Sequence, residues 1–594
     1  MRKIIALLLL TLLSLACKNK EYNNLTPTEK TKQALVQNYT LFAKNSKTLD
    51  SLAQSNSDVK IIQAAFKKTR LKYKKIESFI AFYFPETAKN INGAAIDKND
   101  IEETSRKIEY ATGFQKVEEL LFSDETDTDE LKKQIGILNG FCQSLKSNIE
   151  NIELSDSNIF EAQKLQIVRM MSLGISGFDS PIALHSIPEA KATIESISEV
   201  ITTFSKEGTF SVILEKTIAY LDKNQDFNAF NRADFIMDYC IPISNEMYKI
   251  QQKLKIKNNR YTNAIDFEKQ NIFEEGAFNP DYFAPGYNKK PTEAQIALGE
   301  KLFFDPILSG DHTVSCATCH IPDQAYADHK IKAVNGKSNS RNTPTLLNSA
   351  YQNVQFLDGR VMYLEDQAKM VINNKDEMHG SFASALQKIK KNSSYLANFN
   401  IVFPKEKEIT EQNLLKSMAS YIRSLSELKS KFDQYLRGKA QLSQSEKNGF
   451  NVFMGKAKCA TCHAFPLFNG SVPPLYSETE SEVLGVPSQN TVHNAVIDSD
   501  LGEFSITNAP LKKHAFKTPT VRNSAITFPY MHNGVYQTLE EVINFYNLGG
   551  GAGIGIPIEN QTLPSDKLNL TKTEIQDLVS FLKTLNNPTA EANY

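Results

Sequence analysis

The sequence CATCH occurs twice in this chain, at residues 316–320 and at residues 459–463. Cysteines three positions apart lie on one side of a helical turn, so both thiols can reach the two vinyl groups of one haem. The histidine that follows each pair can then bind the iron. A zinc site built from two CXXC pairs is the alternative, but it needs no histidine directly after each pair. The motifs therefore predict two covalently bound haem c groups, held by Cys316, Cys319 and His320 and by Cys459, Cys462 and His463.

The composition limits the remaining possibilities. A chain of 594 residues is too long for one hydrophobic core and predicts several domains. Its net charge is −1 and no basic stripe stands out, which argues against nucleic acid as a partner. Cys142 and Cys240 lie in stretches with a helical pattern. We interpret both as buried free thiols, with a disulfide as the alternative in an oxidising compartment.

The first 17 residues have the pattern of a lipoprotein signal peptide. Arg2 and Lys3 precede an apolar run at residues 4–13, and Cys17 follows shortly after it. We expect cleavage before Cys17 and a lipid on its thiol, since the run is too short to span a membrane. Ser14 stands where such signals prefer leucine, so an ordinary secreted form is the alternative. Either route predicts the periplasm of a Gram-negative bacterium, and the lipidated form predicts attachment to a membrane.

The pattern of apolar residues predicts an all-α fold, in which a helical bundle precedes two cytochrome c-like haem domains. Apolar positions recur every three or four residues across residues 26–258, where we expect a helix start at Thr26 and helices over residues 61–84, 101–122 and 128–152. The Asn, Pro and Gly of residues 259–290 predict a linker. Residues 291–436 and 437–594 then form the haem domains. Each has a helix before its CATCH motif and a late helix, at residues 291–304 and 411–425 and at residues 443–454 and 571–585.

From about residue 294 onward the chain resembles the bacterial di-haem cytochrome c peroxidases and their relatives, including the enzyme that matures methylamine dehydrogenase. The matching blocks are LGEKLFFDPILSGDHTVSCATCHIPDQAYAD (298–328), RNTPTLLN (341–348), FLDGR (356–360), LEDQA (364–368), DEMHG (376–380) and FKTPTVRNSAITFPYMHNGVYQTLEEVINFYNLGGG (516–551). The resemblance implies an enzyme that reduces hydrogen peroxide to water. It also implies an electron donor, a small protein of the cytochrome c or cupredoxin type, and a homodimer is a further expectation.

The resemblance also implies roles for individual residues. In that family the first haem reduces peroxide and the second receives electrons, so His320 becomes the proximal ligand of the catalytic iron and His463 that of the electron-transfer iron. Glu377 falls at the family's position for the carboxylate that moves a peroxide proton, and Gln367 at that of its companion amide. The alternative for Glu377 is an exposed acid at the end of a helix.

A calcium ion is implied as well. Asn342, with the backbone oxygens of Thr527 and Pro529, matches the family's ion site, and oxygen ligands suit this hard cation. Three protein ligands leave room for water molecules. The alternative is that Asn342 only caps a turn.

Three positions depart from the family's pattern. Leu357 stands where the family has a tryptophan between the haems, so electrons must take another path. No histidine stands about seven residues before the RN pair at 341–342, and His329 is the nearest candidate, so we expect an open or water-filled sixth position on the first haem and no need for half-reduction. Tyr546 stands where other members have a methionine on the second haem, as in the branch that matures methylamine dehydrogenase. Its alternative is an aromatic side chain that packs under the loop at residues 549–551, with the sulfur of Met531 or Met454 as the ligand.

The N-terminal region is similar to imelysin-like helical proteins at residues 73–88 and 113–121. Glu118 matches their glutamate, whereas Gln115 replaces their histidine, so we interpret this region as a scaffold or docking domain and not as a metal site. Two other functions stay open for the whole chain. One is oxidation of a protein or organic substrate, which Tyr546 favours, and the other is a non-catalytic electron carrier.

Overall fold

The computed structural model describes residues 24–99, 107–124, 127–205, 208–259, 263–333 and 341–588. The signal segment with Cys17 lies outside these residues. The chain divides into two compact units. The first contains the described residues of Met1–Ala95, Ala111–Phe230 and Asp234–Tyr261, and the second those of Ile96–Tyr110, Asn231–Ala233 and Thr262–Tyr594. Within the described part, no helix combines the length and apolar character that a membrane crossing requires.

The fold is mostly α, as predicted. The strands in the described residues are two or three residues long and form two antiparallel pairs, β1 with β2 and β3 with β4. The strands are β1 Lys98–Asn99, β2 Ile108–Glu109, β3 Ser481–Val483 and β4 Ala515–Lys517.

The first unit is a helical bundle. Its helices, in chain order, are α1 Pro27–Gln54, α2 Val59–Lys74, α3 Glu77–Tyr83, α4 Pro85–Asn92, α5 Gly113–Leu121, α6 Thr128–Asn151, α7 Asp156–Arg169, α8 Ser186–Ile201 and α9 Gly208–Lys223, then α10 Arg232–Phe235, which crosses the boundary between the units, and α11 Ile241–Lys253. Two π-helical turns, Met170–Gly174 and Ile236–Cys240, follow α7 and α10. Cys142 and Cys240 are buried free thiols, which confirms their interpretation.

Local sequence signals determine where several of these helices begin, and a tertiary contact determines the start of another. Thr26 and Glu29 form the predicted capping box at the start of α1, and α6 agrees with the prediction for residues 128–152. The prediction of one helix over residues 101–122 was wrong in its first half. Residues 101–106 lie outside the described part, Ile108–Glu109 is a strand, and the helix begins only at Gly113. Gly113 has φ +87°, and a Cβ there would lie 2.5 Å from the Asn90 carbonyl oxygen, so a close approach of backbones decides where α5 starts.

Buried charges pair with one another inside the first unit. Arg70 donates to Glu189, with Nε–Oε1 at 2.5 Å. Asp179 accepts two hydrogen bonds from Arg169, at 2.6 and 2.8 Å, and one from Lys74 at 2.6 Å. These cations hold the pKa of Asp179 well below its usual range, although burial alone would raise it. The polar core of this unit therefore contains a network of buried ion pairs.

The second unit contains both CATCH motifs. Its helices are α12 Glu293–Phe304, α13 Cys316–Cys319, α14 Leu364–Asn373, α15 Phe382–Lys391, α16 Ser393–Val402, α17 Glu411–Ser424, α18 Lys431–Leu436, α19 Gln444–Met454, α20 Phe504–Thr507, α21 Leu539–Asn547, α22 Gly550–Gly553 and α23 Lys572–Lys583. Short 3-10 turns occur at Pro280–Phe283, Pro306–Leu308, Pro322–Gln324, Ser349–Tyr351, Cys459–Thr461, Pro510–Lys512 and Ser524–Ile526.

The same helix pairing occurs beside each CATCH motif. Helix α12 packs on α17, and α19 packs on α23. Each pair meets at a glycine: a Cβ on Gly299 would lie 1.9 Å from the Ser417 carbonyl oxygen, and a Cβ on Gly449 would lie 1.9 Å from that of Asp577. The predicted helices before and after each motif are therefore present and cross at van der Waals contact of their backbones.

The described part of the predicted linker is packed within the second unit. Ile265 pairs with Phe278 in an antiparallel bridge. Phe278 is buried, and its ring centroid lies 5.4 Å from that of Tyr476. The aromatic residues among the Asn, Pro and Gly of this segment find apolar partners, which the composition alone did not indicate. Separate haem domains at residues 291–436 and 437–594 stay a prediction.

Candidate functional site

The first CATCH motif forms a short helix that presents its histidine at the C-terminal end. Ser315 caps α13, and the backbone N–H of His320 donates to the Cys316 carbonyl at 2.9 Å. The His320 Nδ1 lies 3.1 Å from the Tyr326 carbonyl oxygen. A carbonyl can only accept, so Nδ1 carries the proton and Nε2 is the atom left to bind iron. Burial lowers the pKa of His320, which keeps the imidazole neutral, as a ligand must be.

The second motif repeats this arrangement with a tighter turn. Cys459–Thr461 is a 3-10 turn preceded by Lys458 at φ +55°, and the His463 N–H donates to the Cys459 carbonyl at 2.9 Å. The His463 Nδ1 lies 3.0 Å from the Pro519 carbonyl oxygen. Burial lowers the pKa of His463 to about 4. Both histidines are therefore oriented in the same way, by a backbone carbonyl behind the ring.

These residues fit covalent haem. The CATCH cysteines form no disulfide and are half-buried, so their thiols are available for thioether bonds. Each motif adds a neutral imidazole with its Nδ1 proton fixed. Two such sets would hold two haem c groups, one through each histidine.

A cavity of about 240 Å³ contains the predicted acid/base carboxylate. Its lining consists of Phe356, Arg360, Met370, Val371, Asn373, Asn374 and Glu377. Glu377 is half-buried, and its Oε1 accepts a hydrogen bond from Asn374 Nδ2 at 2.9 Å. Gln367 is half-buried on α14, three and four residues before Met370 and Val371, so it shares a helix face with two residues of the cavity wall.

Arg360 is a residue of this cavity that the sequence analysis missed. Its guanidinium lies 3.6 Å from the centroid of the Phe356 ring, and its Nη1 donates to Asp358 Oδ2 at 2.6 Å. Arg341 donates to the same carboxylate oxygen at 2.6 Å. The sequence DGR in the FLDGR block could have indicated this contact, because an aspartate that becomes buried is usually paired with a nearby cation.

Comparison with known proteins finds relatives of the part of the chain that carries the CATCH motifs. Residues 293–441 match the family described as di-haem cytochrome c peroxidase. The methylamine utilization protein MauG of Methylophilus methylotrophus is 32% identical over 313 residues, which are 52% of this chain and 86% of that protein. The chain belongs to the di-haem cytochrome c peroxidase family.

Further members and a solved structure are similar over the same extent. The cytochrome c551 peroxidase of Nitrosomonas europaea is 32% identical over 301 residues, 50% of this chain and 81% of that protein. A crystal structure of a MauG-like protein associated with microbial copper homeostasis is 28% identical and covers 51% of this chain and 92% of that one, with a TM-score of 0.46. Family membership implies two c-type haems.

Leu357, which occupies the family's tryptophan position, is hydrogen-bonded to strand β4. The Leu357 carbonyl accepts a hydrogen bond from the Lys517 N–H at 2.7 Å. The neighbouring residue on β4, Phe516, stacks on His532 with ring centroids 3.9 Å apart and an interplanar angle of 10°. An aromatic pair therefore lies close to the site where the indole is missing.

His329 has other partners than an iron. Its Nε2 lies 3.1 Å from the Ile526 carbonyl oxygen, and its ring stacks on Phe528 at 4.3 Å. The expectation of an open sixth position on the first haem stays a prediction.

Tyr546 lies on α21 in the neighbourhood of the second CATCH motif. Burial raises the pKa of its phenol, and the charges that Cys462, Cys459 and Glu482 carry when ionised raise it further. Met454 is fully buried in α19, and Met531 has φ +67°. Tyr546 as the second ligand of the second haem stays a prediction, as do Met454 and Met531 as its alternatives.

Two of the predicted calcium ligands touch each other directly. Asn342 Nδ2 donates to the Pro529 carbonyl oxygen at 2.7 Å. The Thr527 hydroxyl donates to the Asn523 carbonyl at 3.0 Å. A cation at this place would need the Asn342 amide oxygen, and not its NH2 group, to face the same centre as the Pro529 oxygen. Calcium binding here stays a prediction.

Proposed function

We propose that this chain is a di-haem c-type peroxidase that reduces hydrogen peroxide to water with electrons from a small periplasmic donor protein. The observation that carries the proposal is the pair of CATCH histidines, each with Nδ1 held by a backbone carbonyl, together with Glu377 in a cavity of the same unit. Peroxide takes up two electrons and two protons and gives two molecules of water. The bound haems would supply the electron chemistry, and the protein supplies position and proton transfer.

Glu377 is the group best placed to move the proton. Its carboxylate lines the cavity, and one of its oxygens accepts a hydrogen bond from Asn374, which orients the group. Cleavage of the O–O bond requires that the leaving oxygen depart as water, so one carboxyl group can take the proton from one oxygen and return it to the other. Gln367, on the adjoining face of α14, would orient the peroxide by hydrogen bonding.

The test compares peroxide turnover by the native two-haem protein and by Glu377→Ala and Glu377→Gln, with a reduced small cytochrome as donor. We expect both variants to lose about 10²–10⁴-fold in turnover, the usual contribution of a general acid–base group. Glu406→Ala removes an exposed carboxylate of the same unit and serves as the control, with turnover unchanged. Absence of peroxide turnover in the native protein with both haems bound would reject the proposal in favour of an electron carrier.

A second candidate function is the oxidation of a protein or organic substrate. Tyr546 near the second CATCH motif favours it, as does the similarity to proteins named methylamine utilization protein MauG. A phenolate ligand donates charge and stabilises oxidised iron. Peroxide consumption that requires no reduced donor, and that yields an oxidised product from an added substrate, would favour this function.

We propose the periplasm as the location, with a lipid on Cys17 as the membrane anchor and one calcium ion at Asn342, Thr527 and Pro529. The motif at the N-terminus supports the anchor. The ion site is supported by the closeness of the Asn342 amide to the Pro529 carbonyl, and calcium binding requires the amide to turn so that its oxygen faces the ion. Mass spectrometry of protein matured in a Gram-negative host tests the anchor through a lipid-modified N-terminal cysteine. Calcium content before and after chelation tests the ion site.

A further inference from the structure

The two CATCH histidines are connected by a nearly continuous series of bonds and contacts. On the side of the first motif, the His320 Nδ1–H donates to the Tyr326 carbonyl at 3.1 Å. Asp328, two residues later, accepts a hydrogen bond from the Thr343 hydroxyl at 3.0 Å. The N–H of the preceding residue, Asn342, donates to the His532 carbonyl at 3.2 Å. The first motif is thus linked to His532 through short backbone segments and hydrogen bonds.

On the side of the second motif, the connection is equally short. The His463 Nδ1–H donates to the Pro519 carbonyl at 3.0 Å. Pro519 lies three residues after Phe516, whose ring stacks on the His532 ring at 3.9 Å. The series therefore consists of covalent bonds, hydrogen bonds and one stack of two conjugated rings.

Charged groups hold this stack in place. His532 Nε2 lies 3.1 Å from Asp498 Oδ1, and the Arg341 guanidinium lies over the Phe516 ring, 5.4 Å from its centroid. Arg341 also binds Asp358 and Asp500, so its position is fixed from two directions. His532 is buried, and Phe516 is half-buried.

We propose that the stacked rings of Phe516 and His532 carry electrons from the second haem attachment site to the first. This inference rests on the proposed function, in which electrons enter at the second site and are consumed at the first. Each transfer moves one electron: the second site is oxidised, the first is reduced, and two transfers serve one peroxide. No bond is made or broken, and the two rings bridge the electron without being left oxidised or reduced.

The experiment uses the full chain with both haems bound and measures electron transfer separately from turnover. Fewer than one electron per protein is delivered by flash photoreduction, and freeze-quench EPR follows the movement of the electron between the two irons. The variants are Phe516→Leu, which keeps an apolar side chain without a π system, and Phe516→Tyr, which keeps the aromatic ring. The matched control is Phe528→Leu, because Phe528 stacks on His329 in the second His–Phe pair of the same unit.

We expect Phe516→Leu to slow the transfer at least several-fold, while Phe516→Tyr and Phe528→Leu stay close to the native rate. The optical spectra and midpoint potentials of both haems should stay unchanged, which separates conduction from a structural effect. If Phe516→Leu fails to retain both haems, His532→Gln gives the same test, since it removes the stacked imidazole and keeps a hydrogen-bonding group toward Asp498.

Two results would overturn the inference. One is electron transfer at the native rate in a variant that binds both haems but lacks the stack of Phe516 on His532. The other is a decrease of the transfer rate in Phe528→Leu as large as that in Phe516→Leu. Native protein that turns over peroxide while Phe516→Leu transfers electrons normally would reject the route alone. Native protein that neither transfers electrons nor reduces peroxide would reject the proposed function itself.

Discussion

The substitution Gly449→Ala tests the helix crossing beside the second CATCH motif. Gly449 is buried on α19 at its contact with α23. A Cβ there would lie 1.9 Å from the Asp577 carbonyl oxygen and 2.7 Å from Phe581 Cβ, whereas real Cβ contacts essentially never fall below 3.0 Å. The obstacle is helical backbone, which no rotamer change can remove, so the two helices must move apart by at least about 1 Å.

The expected loss follows from two opposing effects. Alanine in a helix interior is about 1 kcal/mol more favourable than glycine. Overpacking of a close-packed contact costs about 1–3 kcal/mol, and a clash with backbone belongs at the upper end of that range. The clash therefore prevails, and we expect a net loss of about 2 kcal/mol or more in the free energy of unfolding. In a unit of about 350 residues, a loss of this size lowers the unfolding midpoint by about 3 °C or more.

Thermal unfolding followed by far-UV circular dichroism and by the haem Soret band measures the effect. Gly140→Ala is the control, because Gly140 lies within α6 and a Cβ there meets nothing within 4 Å, so this variant should be slightly more stable than the native protein. Gly299→Ala should behave like Gly449→Ala, since its Cβ would also lie 1.9 Å from a carbonyl oxygen. A Gly449→Ala protein as stable as Gly140→Ala would show that the helices do not cross at this distance.

Three further predictions concern other parts of the chain. Asp179→Asn removes the carboxylate that Arg169 and Lys74 share and leaves Glu77 as their nearest counter-charge, at 3.2 and 2.7 Å. It should cost about 3 kcal/mol in the stability of the first unit, the lower end of the range for a broken buried ion pair, measured by urea unfolding. The pKa values of Asp179 and Glu189 are lowered on folding, that of Glu189 from 4.5 to about 2, because buried cations outweigh desolvation. Their stabilisation is therefore complete above about pH 4.5 and is lost as the pH falls toward 2, which acid titration of the first unit's helicity should show. Tyr546→Phe should change the visible spectrum of the second haem if the phenol is its ligand, and an unchanged spectrum would remove Tyr546 from that role.

Local signals in the sequence sufficed for much of the fold. Thr26 with Glu29, and Ser443 with Glu446, place a cap and a carboxylate three residues apart, and each pair starts a helix as a capping box. The start of α5 could not be predicted in this way, because the contact of Gly113 with the backbone of Asn90 and Ile91, about twenty residues earlier in the chain, determines it. The packing of residues 263–290 depends likewise on partners such as Tyr476, which lie about two hundred residues further along the chain.

The haem attachment residues could be predicted because their chemistry requires a fixed spacing. The carbonyls behind the two histidines could not, since Tyr326 and Pro519 contribute only backbone atoms, which every residue type possesses. The contact of Arg360 with Phe356 and the stack of Phe516 on His532 were missed for a related reason: they depend on how loops fold back, and no periodic pattern records that.

The polar core of the first unit argues for a structural role of that unit. Glu118, the residue that suggested an imelysin-like site, accepts hydrogen bonds from the Ser180 hydroxyl and from the N–H groups of Ile182 and Ala183, and it lies 3.9 Å from Arg70. Burial raises the pKa of this carboxyl in spite of those contacts. A metal ion would have to displace these partners, and within the described residues no group of three His, Cys, Asp or Glu side chains could hold one. The contacts of Glu118 fix the backbone at Ile182 and Ala183 and place a carboxylate beside Arg70, which favours a structural role for this residue.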